Sequence, residues 1–174
     1  MDSRPNRSSR RERSVQHFTR AVVVFFGFVL VSSGASAQDY LPLKGLPAVS
    51  VEIAIDEDAQ ACGVSDTVLN TVASKALADA KVAVSESAPA TLSVKVMTLR
   101  FKTMDMCVSN VRVQLAASGH GPLPYGSRSV PLTYLLASGS GMQSESKARH
   151  GEVVTALVKT LADDIATRIR LANQ

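Results

Sequence analysis

The chain has 174 residues, with 19 Lys or Arg against 15 Asp or Glu, a formal charge of +4. Such a surplus ordinarily points to nucleic acid or an anionic membrane as partner. Here six arginines precede Gln38 with only Asp2 and Glu12, so residues 38–174 carry thirteen charges of each sign, which excludes nucleic-acid binding driven by phosphate contacts.

The first feature along the chain is the apolar run Ala21–Val31, about half of the ~20 residues a membrane-spanning helix needs. Arg4, Arg7, Arg10, Arg11, Arg13 and Arg20 precede it, and "SSGASAQ" follows, with Ala35 and Ala37 at the small-residue positions of an A-x-A site. The pattern predicts a secretory signal peptide over 1–37, cut after Ala37. The alternative is an uncleaved anchor that draws Ser32–Ala37 into the membrane. Arg13 stands where a twin-arginine signal has an apolar residue, so the general secretory route is expected. Gln38, not Cys, follows the cut, so there is no thiol for lipid attachment. The product is then one domain, 38–174, periplasmic or secreted and without a membrane anchor.

"VSVEIAI", Val49–Ile55, alternates and predicts a half-buried strand. After "DEDAQACG", Ser65 or Asp66 can cap a helix running to about Ala80, with Val68, Leu69, Val72, Ala73, Ala76 and Leu77 at helical spacing. "SESAPA" connects to a second strand, Thr91–Phe101, and the turn "KTMD" to a third, Cys107–Ala117, with Val111, Val113 and Leu115 inward. The Gly/Pro tract "SGHGPLPYGS" reads as a loop. "SVPLTYLLAS" gives a fourth strand, placed at an edge because Pro131 cannot donate a ladder hydrogen bond. Residues 151–173 predict a closing helix with Val153, Leu157, Leu161, Ile165 and Ile169 on its apolar stripe.

The order β-α-β-β-β-α implies an α+β two-layer sandwich, two helices on one face of a mainly antiparallel four-stranded sheet. A right-handed crossover puts Cys62 and Cys107 at one end of that sheet. As the two cysteines of the chain, in an oxidising compartment, they are expected to form a disulfide closing a 46-residue loop; two free buried thiols are the alternative.

The leader, the element order and the segments "CGVSD" and "CVSNV" resemble small secreted proteobacterial α+β proteins without assigned function. The topology is similar to envelope accessory domains, namely the amino-terminal domain of the Tol-system propeller protein and lipoproteins that assist lipopolysaccharide assembly. The resemblance implies a binding or assembly role with an envelope protein as partner. It assigns no catalytic, cofactor or metal residue.

No G-x-S-x-G turn, H-E-x-x-H pair or P-loop surrounds His120 or His150. Asp56, Glu57 and Asp58 lack the spacing of a calcium loop and read as a solvated turn. Met104–Cys107 offers soft sulfur ligands for Cu(I), against which the disulfide would consume Cys107. No cofactor is expected. The second strand carries a phase problem: Leu92, Val94 and Val96 are apolar on even positions, Met97, Leu99 and Phe101 on odd ones. Either a bulge near Met97 returns the latter to the core, or they form an apolar patch on the open face. In the second case Thr133 and Leu135, outward on the fourth strand, extend a partner surface with Met97, Leu99 and Phe101. The expected function is a non-enzymatic secreted binding or assembly-accessory module. The alternatives are an inhibitor of a secreted enzyme, inserting "GHGPLPYG", or a small enzyme using His120 or His150.

Overall fold

The structure is a computed structural model and describes residues 43–122 and 129–174. β1, Ala48–Ile55, leads into a short α1, Glu57–Ala61, and then α2, Asp66–Asp79. β2, Ala83–Val84, is followed by the long strands β3, Ala90–Phe101, β4, Met106–Pro122, and β5, Ser129–Ser146. α3, Lys147–Ala172, closes the chain. The sheet order is β2-β1-β3-β4-β5, with β1 parallel to β2 and β3, and the β3–β4 and β4–β5 pairs antiparallel. The fold is therefore α+β, but the expected four-stranded, mainly antiparallel sheet with two helices is corrected to a mixed five-stranded sheet with three.

Local chemistry sets the helix ends. Asp56 caps α1 by accepting from Ala59 N–H at 2.8 Å, and Ser65 caps α2 by accepting from Val68 N–H. Both helices stop the same way. Gly63, at φ +82°, donates to Gln60 O while Val64 donates to Ala59 O. Lys81, at φ 63°, donates to Ala78 O while Val82 donates to Leu77 O. Each is a Schellman closure, with a left-handed residue just past the helix.

The core lies between the sheet and α2 with α3. Leu92, Val94 and Val96 of β3 and Val111, Val113 and Leu115 of β4 point into it, as alternation predicts, against Leu69 and Leu77 of α2 and Ile165 and Ile169 of α3. The stripe on α3 is rotated from the expected one: Val154, Val158 and Ala162 are fully buried, while Leu157 and Leu161 are only partly so. Leu161 and Leu157 lie over Gly139 and Gly141, where an added Cβ would come within 2.9 and 3.1 Å of them. Those glycines let α3 approach β5 closely. β5 runs to Ser146, past the expected end at Ser138, because it stays paired with β4 throughout.

The tract expected as a loop is strand as far as Pro122; its remainder lies outside the described residues. Position 131 does fall on an edge strand, with Pro131 opposite His120. A bulge leaves Leu136 as the extra residue, because Leu115 pairs with Ala137 and Ala116 with Leu135.

Candidate functional site

The sheet face turned away from the helices is built by residues of the opposite parity. β3 runs to Phe101 without a register break: Met97 pairs with Asn110, Leu99 with Val108 and Phe101 with Met106. The bulge expected near Met97 does not form, so the odd-numbered apolar residues stay outside. Met97 is 56% exposed, Leu99 66% and Phe101 40%. On β5, Met142 lies opposite Asn110 and is 68% exposed; Met104, in the β3–β4 turn, is also exposed. The result is an apolar patch drawn from three strands at one end of the open face, with the exposed Asn110 between Met97 and Met142. Among the described residues, every methionine belongs to this end of the face.

Thr133 and Leu135 are exposed on the same face but not beside that patch. Leu135 is opposite Ala116 and Met142 opposite Asn110, six residues apart on β4, or roughly 20 Å at strand rise. The five expected surface residues therefore divide into two groups at opposite ends of the open face.

Behind the patch the binary pattern inverts, for Thr98 and Ser109, neighbours of Met97 and Val108, point into the protein and are buried. Thr98 Oγ1 lies 2.6 Å from Ser109 Oγ, which lies 2.7 Å from His150 Nε2. Asp56 Oδ2 accepts from Thr98 N–H at 2.8 Å, which gives the carboxylate of the expected solvated turn a structural task at both oxygens. The Ser109–His150 pair has the spacing of a nucleophile and its base. Both residues are 0% exposed, however, and the groove of about 490 Å³ between α2 and α3, floored by Val68, Val72 and Ala156, is lined by neither. His120 is exposed on β4, eleven residues from Ser109, so the two histidines among the described residues do not converge.

Burial holds the His150 imidazole below its ordinary pKa, opposed by the nearby Glu145 carboxylate. Hydrogen bonds from Ser146 N–H and O–H keep Glu145 itself below the usual carboxylate range, with Arg149 and His150 adding to the effect. Because the folded pKa of His150 is depressed, the unfolded chain protonates first on acidification. Its contribution to stability is complete above the unfolded value near 6.5 and is lost as pH falls through that value toward the folded one. Urea unfolding across pH 7 to 5 is expected to show a steeper loss of stability for the wild type than for His150→Gln, which removes the titration. Parallel curves for the two would contradict the assignment.

Cys62 and Cys107 form the disulfide, with Cα atoms 6.3 Å apart, so Cys107 is not available as a soft metal ligand. Among the described residues no group of three or more His, Cys, Asp or Glu side chains is arranged to hold a metal ion, and no helix is long and apolar enough to cross a membrane.

No family model matches the chain, and no curated protein matches it. Two solved structures similar to it are PelC dodecamers from Paraburkholderia phytofirmans. One, a leucine-to-methionine variant, is 18% identical with a TM-score of 0.41, covering 72% of this chain and 87% of that one. The other is 17% identical with a TM-score of 0.42, covering 72% and 88%.

Proposed function

We propose that the protein is a non-enzymatic binding or assembly module that works in the periplasm or outside the cell. The observation that carries this reading is the apolar patch of Met97, Leu99, Phe101 and Met142, left open on the sheet face turned away from the core. Exposed apolar clusters of this kind mark interaction sites, and methionine side chains adapt to surfaces of varied shape. The location rests on the leader and on the disulfide, a bond that persists in oxidising compartments. The edge strand supports the same reading: β5 carries no charged residue from Ser129 to Ser144, and Pro131 and the bulge at Leu136 are its main guards against pairing with a partner strand.

The test replaces Leu99 and Leu135 with Asp separately and compares capture of envelope partners by the exported protein. Leu99→Asp is expected to melt within a few degrees of the wild type and to lose its partner. Leu135→Asp, about 27 Å from Leu99 along the strands, reports whether the β5 end takes part. A collapse of thermal stability in Leu99→Asp would assign that residue to the core and end the proposal.

A further inference from the structure

The apolar patch adjoins a polar site of a different kind. One row along the open face, Lys95 of β3 stands directly opposite Arg112 of β4, and Arg112 directly opposite Ser140 of β5. Like charges facing each other across a ladder repel, and among the described residues neither cation is in an ion pair. Glu52 is the carboxylate nearest them by register, displaced along β1 to the row of Ser93. Beside Arg112 the face sinks into a hollow of about 350 Å³ lined by Arg112, Gln114, Ser138, Gly139 and Ser140, because small serines on β5 face long side chains on β4. The hollow thus presents a guanidinium, an amide and two hydroxyls, a donor set suited to a phosphate or carboxylate. From Lys95 the apolar strip runs through Met97 and Leu99 to Phe101, six residues or roughly 20 Å.

On this basis, and resting on the reading of the open face as a binding surface, we propose that the face binds an anionic lipid, its head in the hollow between Arg112 and the β5 serines and its acyl chain along Met97, Leu99 and Phe101. Two physical arguments select this occupant. A second copy of the chain brings its own Lys95 and Arg112 to the interface and so adds repulsion. A peptide laid on the strip finds no backbone partner there, because the β3 and β4 amides are consumed in the ladder, and its own N–H and C=O groups lose water without compensation. An acyl chain has no such groups, and the head satisfies the unpaired cations.

The methionines supply the readout. The full chain is produced with methyl-labelled methionine, the exported protein is purified, and its methyl signals are followed by NMR with lysophosphatidylglycerol or lysophosphatidylcholine of the same chain length, below micelle formation. The anionic lipid is expected to shift the Met97 and Met142 signals saturably at about tenfold lower concentration than the zwitterionic one. Lys95→Gln with Arg112→Gln should erase that preference, and Leu99→Ser should weaken both lipids while the free spectrum stays dispersed. Equal response to the two lipids, indifference to the double variant, or glycerol phosphate alone binding as tightly overturns the proposal. So does a short Leu/Asp peptide that binds more tightly than the lipid. If the lipid fails while Leu99→Asp still loses a captured protein, the binding-module reading stands without this ligand.

Discussion

Replacing Cys62 and Cys107 together by alanine is expected to lower the unfolding free energy by about 4 kcal/mol, the chain-entropy value for cross-linking a 46-residue loop. That is a large share of the roughly 5–15 kcal/mol that holds a domain of this size folded. The bridge joins the end of α1 to the first residues of β4, and both cysteines are 0% exposed. Its loss therefore frees the segment that precedes α2 and leaves small voids beside Ser109, whose bonds to Thr98 and His150 depend on dry surroundings. Urea unfolding checks the prediction, with the reduced wild type expected to coincide with the variant. A difference below about 1 kcal/mol between oxidised wild type and variant would mean that the unfolded chain is already compact around this loop.

Much of the fold was legible because burial on one face imposes period two on a strand. β1, β3 and β4 declare themselves through Val51, Ile53, Leu92, Val94, Val111 and Val113, and the Ser65 cap announces α2. Elements fixed by contacts distant in sequence were not legible. Ser138–Ser146 has little strand propensity, yet it pairs with β4 throughout and takes the α3 leucines over its glycines. The α3 helix begins at Lys147, before its apolar period, because a histidine at a core position reads as a helix flank until Ser109 is known to face it. β2, at two residues, is too short to carry a pattern.

The candidate site shows the same limit. Periodicity established that β3 carries apolar residues on both phases but could not say which phase the helices cover. The answer came from across the sheet: Thr98 turns inward to Ser109, which leaves Met97 and Leu99 outside. The hollow beside Arg112 had no local signature, since it arises from the register of Gln114 with Ser138 and of Arg112 with Ser140.

The tightest contact around the same end of the molecule gives the second large expectation. Gly151 sits in the first turns of α3, where alanine is ordinarily favoured by about 1 kcal/mol. A Cβ at this position would collide with Gly63 O and lie 2.8 Å from Gly63 C, so the obstacle is backbone, not the end of a flexible side chain. Gly63 is poorly placed to retreat. It holds the left-handed position of the α1 closure at φ +82°, its N–H is bound to Gln60 O, and its neighbour Cys62 is tied to Cys107. Gly151→Ala is therefore expected to destabilise the protein by about 3 kcal/mol despite the gain in helix propensity, at the upper end of overpacking costs. If the disulfide is what pins the loop, the penalty shrinks when the substitution is made in the Cys62→Ala, Cys107→Ala background, where α1 can shift away from α3. A double-mutant cycle on urea unfolding should then show a coupling of about 1–2 kcal/mol between the two changes. Strict additivity would place the restraint in the α1 closure itself, and a stabilised Gly151→Ala would show that the loop yields without cost.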